Sequence, residues 1–300
     1  MPFLLRHILR HKTHLQAIRE AGCTALSKRF DKNPAPPRLP GPMIHSSIPP
    51  LAPSLIRDYL REVGANEFDY DKVLPAHLFP YWILPAALKS IAAAPYPIHK
   101  TLNGGCEIRL NQLIPADEPI VFSCQLEEIR ETDRHITFVN RAHSGTASSP
   151  DALETVFYGI LPKSDVDSPP NPEQPKKVIP EGIELLETIS IPQGAGLRFS
   201  LLTGDFNPIH WLSPYAKIAG FSNTILQGFG TLAWVMEALN KTVTQGAPTR
   251  VEHLAVRFTR PLVLPAEIRL YHAPNGRIFV GNDIGERPYL VGNLTLRDKR

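Results

Sequence analysis

The sequence predicts an α+β chain made of two tandem units, each a curved antiparallel sheet wrapped on one central helix. Three observations carry this. A polar, proline-rich break, SDVDSPPNPEQPKK over residues 164–177, divides the 300 residues into comparable halves. Each half has one apolar helical stretch, Tyr81 to Ala93 and then Phe229 to Leu239, ahead of its strand-like runs. The halves also echo one another. Ile108-Arg109-Leu110 is followed by Leu113-Ile114-Pro115-Ala116, as Val256-Arg257-Phe258 is followed by Leu262-Val263-Leu264-Pro265-Ala266, and both patterns suit a strand, a turn and another strand.

Residues 1–52 read as a basic extension and a connector. Arg6, Arg10, Lys12, Arg19, Lys28 and Arg29 face Glu20 alone over the first thirty residues, and Leu4, Leu5, Ile8, Leu9 and Leu15 recur at roughly helical spacing. The simplest reading is an amphipathic helix resting on the domain; a membrane-surface helix and a mitochondrial-type presequence are the alternatives. From Asn33 to Pro53 the density of proline predicts an extended connector. The first unit occupies 53–163 and opens with a short amphipathic helix over Leu55 to Val63. Residues 164–180 form the linker and 181–300 the second unit, where Leu254, Val256 and Phe258, then Ile268 and Leu270, alternate as strands do.

Composition narrows the function. A hydrophobic fraction of 43% with 20% charged residues describes a soluble globular chain, and a net charge of +3 is not the footprint of a nucleic-acid binder. Cys23, Cys106 and Cys124 are too few and too scattered for a disulfide framework or a zinc site, and a reducing compartment, the cytoplasm, fits best. No metal or cofactor is expected. No stretch is long and apolar enough to span a bilayer.

The informative segment is FSLLTGDFNPIHWLSPYA, Phe199 to Ala216. Gly204 can adopt the positive φ that ends a helix, and Pro208 fixes the next turn. A corner held this tightly can present Asp205, Asn207 and His210 together, and a carboxylate beside an imidazole can position one water and carry protons both ways. A capped turn, with Asp205 and Asn207 bonding only backbone and His210 filling a polar niche, is the plainer alternative.

Phe199, Leu202, Thr203, Gly204, Asp205, Asn207, Pro208, Ile209, His210 and Ala216 together resemble the signature of the MaoC-like, or type 2, enoyl-CoA hydratases. Ala219-Gly220-Phe221 and Thr224-Ile225-Leu226-Gln227-Gly228-Phe229 resemble that family's approach to its central hotdog helix. The resemblance covers roughly Gly194 to Thr295, and the whole layout is similar to bacterial two-hotdog acyl dehydratases in which only the second repeat keeps the motif. It implies a tandem (double) hotdog fold and one active site. It also implies a degenerate first repeat that supports the fold and houses the acyl tail, and reversible, R-specific hydration of 2-enoyl thioesters of coenzyme A or acyl carrier protein. A homodimer of such chains is compatible with it.

In this reading His210 is the base toward water and Asp205 orients that water and passes the α-proton, the two roles reversing with reaction direction. Asn207 locks the loop or holds the water. The backbone N–H of Gly228, at a helix N-terminus, receives the charge that builds on the thioester oxygen. The family commonly has His-Gly where this chain has Gln227-Gly228, which leaves that donor intact and alters its surroundings. Gln227, Trp211 and Phe229 are candidate substrate contacts. Trp211 shields the site or packs beside it. His77, Phe79 and Trp82 line an acyl tunnel or start a core helix; Trp234 and Met236 suggest an apolar wall; and Arg250, Arg257 and Arg260 are candidates for coenzyme A phosphates. Two other functions compete. A hotdog thioesterase needs a carboxylate on the central helix, where Glu237 is the one acid, and a non-catalytic acyl-binding or scaffolding subunit has no need for both Asp205 and His210.

Overall fold

The computed structural model describes residues 7, 11, 37–92, 94–163 and 178–298. One ten-stranded antiparallel sheet runs through both halves in the order β1-β5-β6-β7-β3-β9-β12-β11-β10-β8. The first half supplies β1 (Ile44–Ile48), β3 (Leu102–Leu110), β5 (Ile120–Glu131), β6 (His135–Gly145) and β7 (Leu153–Pro162). The second supplies β8 (Glu184–Ile191), β9 (Val251–Phe258), β10 (Ala266–His272), β11 (Arg277–Gly281) and β12 (Leu290–Leu296). Counted outward from the seam, the orders β3-β7-β6-β5-β1 and β9-β12-β11-β10-β8 match strand for strand, so the tandem repeat is real. The seam is an antiparallel pairing of β3 with β9, in register from Gly105↔Arg257 to Arg109↔His253.

The echo between the two halves of the sequence has a structural counterpart, shorter than expected. In the first half β4 (Ile114–Pro115) pairs with β2 (Val73–Leu74), and in the second Val263 forms a single bridge with Ile225. The connector also differs from expectation. Within it, Ile44–Ile48 is a strand that joins the sheet edge through β5, from Ile44↔Cys124 to Ile48↔Ile120. Prolines flank the run on both sides without entering it, which is where an edge strand tolerates them.

Each half wraps on a helix. α1 (Pro53–Glu62) begins with proline in its first turn, where no N–H is needed, and buries Leu55, Tyr59 and Leu60. α2 (Pro80–Ala92) and α5 (Gly228–Leu239) are the two central helices, one residue ahead of the predicted starts. Between them lie α3 (Ala195–Thr203) and the short α4 (Ser213–Ile218). One continuous hydrophobic core takes in residues of α1, α2, α3, α5 and the strands of both units. Among the described residues no helix is long and apolar enough to cross a membrane.

The expected N-terminal amphipathic helix and the polar stretch 164–177 lie outside the described residues, apart from His7 and His11. Both of these are buried: His7 meets Asp58 at 2.7 Å, and His11 Nε2 lies 2.6 Å from the carbonyl of Leu201.

Candidate active site

α3 ends as the sequence predicts. Gly204 is left-handed, with φ 84°, and its N–H donates to the carbonyl of Ser200. The chain then turns through Asp205 to Asn207 into a single 3-10 turn, Pro208–His210. Asn207 Oδ1 accepts the N–H of Ile209 at 3.3 Å, so the asparagine locks the corner as an N-cap does. Behind it stands Gly196 of α3, where a Cβ would lie only 2.1 Å from the carbonyl oxygen of His210. The side chain of Phe206 packs edge-on against the ring of His11, with centroids 5.3 Å apart, a contact the sequence did not reveal.

Asp205 and His210 face one another. Nε2 of His210 lies 3.9 Å from Asp205 Oδ2, too far for a hydrogen bond and close enough for one water to touch both. His210 Nδ1 is 2.9 Å from the carbonyl of Ile225. A carbonyl only accepts, so Nδ1 carries the proton and the lone pair of a neutral ring sits on Nε2, toward Asp205. His210 is nearly buried and Asp205 about one quarter exposed, and both line a cavity of about 580 Å³.

That cavity is lined by the corner from Gly204 to His210, by the start of α5 at Gly228 and Phe229, and by first-half residues of α2, β3, β6 and β7. Gly228 has little room for a side chain: a Cβ there would come within 2.7 Å of the Phe258 ring. Asp205, Asn207, His210, Gly228 and Phe229 are therefore brought to one cavity wall.

The other candidates are placed differently. Trp211 is 40% exposed and donates its indole N–H to the carbonyl of Phe206, so it braces the corner from outside and does not touch the cavity. Gln227 is buried and also absent from the wall, its Nε2 donating to the carbonyl of Gly196 at 3.0 Å and to Ser200 Oγ at 2.8 Å. It ties the start of α5 to α3, a structural task in place of a substrate contact. His77, Phe79 and Trp82 are core residues: His77 joins Glu237, Phe79 packs on Phe229, and Trp82 donates to Ser144. The α2 residues that line the cavity come instead from its next turns, at Leu84, Ala87, Leu88 and Ile91. Trp234 and Met236 lie off the cavity, because Gly228, Phe229 and Thr231 are the α5 residues that face it. Of the three arginines only Arg260 reaches the wall, its guanidinium 3.7 Å above the Tyr289 ring. Thr231 and two first-half asparagines, Asn103 and Asn140, line the cavity without having been anticipated; no local motif marks them.

Glu237 sits in a buried network at the far end of α5. It accepts from Tyr70 Oη at 2.7 Å and meets His77 Nε2 at 2.5 Å, while Tyr59 Oη contacts His77 Nδ1 at 2.8 Å. Burial, with the neighbouring Glu237 adding to it, pushes the Tyr59 and Tyr70 phenols well up from their ordinary values. Among the described residues no cluster of three or more His, Cys, Asp or Glu is placed to hold a metal ion.

Comparison with known proteins agrees with this architecture. Residues 165–285 match the MaoC like domain family. Over 66 residues, 22% of this chain and 21% of the relative, the sequence is 42% identical to peroxisomal enoyl-CoA hydratase 2 of Arabidopsis thaliana. Over 105 residues, 35% and 34% of the two chains, it is 32% identical to 3-hydroxyacyl-thioester dehydratase X of Mycobacterium tuberculosis. The matches thus span about a fifth and a third of the length of these curated relatives. The crystal structure of HtdX of M. tuberculosis superposes with a TM-score of 0.68 at 18% identity, covering 85% of this chain and all of that one. A conserved hypothetical protein of M. tuberculosis with a double hotdog fold superposes at 0.57 and 11% identity, over 86% and 95% of the two chains. At such identities the likeness is one of fold, and that fold is two hotdogs in one chain.

Proposed function

Starting from a chain that carries a MaoC-like domain on a double hotdog fold, we propose that it is a hydro-lyase that reversibly hydrates 2-enoyl thioesters to 3-hydroxyacyl thioesters. The observation that carries this is the facing pair: His210 Nε2 and Asp205 Oδ2, 3.9 Å apart, beside the N-terminus of α5 in one cavity wall. Water held between them adds its oxygen to the β-carbon as His210 takes one of its protons. The π electrons shift toward the thioester oxygen, and the proton taken by His210, relayed through the Asp205 carboxylate, closes the α-carbon. One O–H bond and the C=C π bond are lost, one C–O and one C–H bond are formed, and both side chains end as they began. The charge that gathers on the thioester oxygen meets the Gly228 N–H, preorganised by the helix; one such donor supplies on the order of 3 kcal/mol of transition-state stabilisation.

The acyl tail runs from this corner into the first unit, between α2 and the sheet, past Leu88, Ile91, Phe138 and Ile160. Coenzyme A is the carrier in this reading and the R-3-hydroxy product its stereochemical outcome. A thioesterase acting through Glu237 is disfavoured, since that carboxylate is held by Tyr70 and His77 away from the cavity. The test is the absorbance of the conjugated thioester when protein meets crotonyl-CoA and a longer enoyl-CoA, with chiral analysis of the product. Decay that Asp205→Asn and His210→Ala both abolish is expected. Release of free thiol, or decay indifferent to both substitutions, would sink the proposal.

A further inference from the structure

We propose that Asn103, on β3 of the first unit, which has no motif, is a catalytic residue whose side-chain amide is the second donor to the thioester oxygen, beside the Gly228 N–H. The inference rests on the hydratase reading above and adds a group from the other unit to its site.

Four observations converge on it. Asn103 Oδ1 accepts the N–H of Gly105 at 3.1 Å, which fixes which end of the amide is oxygen and leaves Nδ2 as the free end. Nδ2 is buried and has no hydrogen-bond partner. An orphaned buried donor costs the full desolvation of that group, so one that persists calls for a partner the folded chain does not itself provide. Its position says which: a Cβ on Gly228 would lie 3.1 Å from Nδ2, so the amide rests against the opening residue of α5, and both residues line the same cavity.

The backbone is shaped to put it there. The pairing of β3 with β7 shifts register between Asn103 and Gly105, a bulge of the kind that re-aims a side chain. Of the two glycines that follow Asn103, Gly105 is required by backbone contact and Gly104 packs under the Ile160 side chain. A Cβ on Gly104 would lie 2.3 Å from the Ile160 side chain, and one on Gly105, whose φ is 147°, would lie 2.3 Å from the Val256 carbonyl. Asn-Gly-Gly therefore bends the strand where the seam pairing with β9 ends, at Gly105↔Arg257. The same bend presents Asn103 to Asp205, His210 and Gly228, which all come from the second unit. In this arrangement the charge developing on the thioester oxygen is met by one main-chain and one side-chain N–H. The first unit is then a partner in the chemistry as well as a housing for the tail.

Asn103→Asp keeps an oxygen for the Gly105 N–H and removes the donor; Asn103→Ala removes both. With 2-enoyl-CoA, both variants are expected to lose about 100-fold in kcat with KM within a few-fold of the parent, the usual cost of one such donor. A second measurement needs no turnover. The 13C-labelled carbonyl stretch of saturated decanoyl-CoA should move to lower frequency on binding the wild-type protein. It should do so equally in Asp205→Asn and markedly less in Asn103→Asp. Asn103 variants that hydrate within threefold of the parent while Asp205→Asn is inactive would overturn this inference and leave the hydratase reading standing. A wild-type protein that hydrates nothing yet shows the Asn103-dependent shift would do the opposite, removing the hydratase reading and supporting Asn103 as a donor to the bound carbonyl. A bound carbonyl unshifted from its value in solution would overturn the donor role even if every variant failed to fold.

Discussion

Gly196→Ala is the sharpest single test of how the site is held. Gly196 contributes no side chain to the cavity, yet three parts of the site meet at it: α3 itself, the His210 carbonyl packed against its Cα, and Gln227 Nε2 donating to its own carbonyl. An added Cβ would lie 2.1 Å from the His210 carbonyl oxygen, about 1 Å short of the 3.0 Å that real Cβ contacts observe. The obstacle is backbone, so no side-chain rotation relieves it, and the corner carrying His210 must move away from α3 by a comparable amount. A displacement of 1 Å at reacting groups costs on the order of 100-fold in rate, and overpacking of this kind costs about 1–3 kcal/mol of stability. The assay is hydration of an enoyl-CoA followed by absorbance, paired with a thermal melt. Gly182→Ala serves as control: its φ is 72° and nothing lies within 4 Å of a Cβ there, so it should lose roughly 1 kcal/mol from left-handed strain and no activity. If Gly196→Ala turned over within threefold of wild type, the claim that α3 sets the Asp205–His210 geometry would be wrong.

Three further outcomes follow from the same structure. Glu237→Ala strands the buried His77 and Tyr70 partners and should lower stability by about 3–5 kcal/mol in urea, with Glu237→Gln losing less; a loss below about 1 kcal/mol would contradict the network. The tail path predicts that kcat/KM rises roughly fourfold for each methylene beyond crotonyl-CoA, about 0.8 kcal/mol each, until the path is full. Ala87→Phe should erase that gain while sparing crotonyl-CoA, and equal losses for all chain lengths would place the tail elsewhere. Burial pushes the Cys124 thiol up to about 12 and Cys106 higher still. A raised thiol pKa in the folded state contributes stability below the ordinary thiol range and loses it as pH climbs through about 9 toward 12, so melts should fall along that alkaline limb. At pH 8 neither of these two cysteines should take up iodoacetamide without denaturant, and mass spectrometry of the labelled protein would expose an error here.

The corner Gly204 to His210 is legible in the sequence because its determinants are neighbours in the chain: a glycine that ends α3 in a left-handed turn, an asparagine that caps, a proline that sets the next φ. The two central helices and the repeat are legible from apolar periodicity, and each helix begins within a residue of expectation. β1 is not, because a five-residue run flanked by proline looks like connector until β5 lies beside it. Trp211 and Gln227 depart from expectation for a related reason. Being next in sequence to a site residue does not decide which way a side chain leaves the backbone, and here one points to solvent and the other into α3.

Local chemistry, then, is enough for the corner that presents Asp205 and His210 and for the glycine at the helix start, since each depends on residues a few positions apart, while the doubling of the fold is legible from the likeness of the two halves. Where those groups meet the rest of the cavity is decided by packing across the β3–β9 seam. That pairing sets residues near 105 against residues near 257 and so carries Asn103 to the mouth of α5. Contacts between positions so distant in the chain leave no periodicity or spacing in either segment, because a strand's sequence records which face is buried and not which strand will cover its edge.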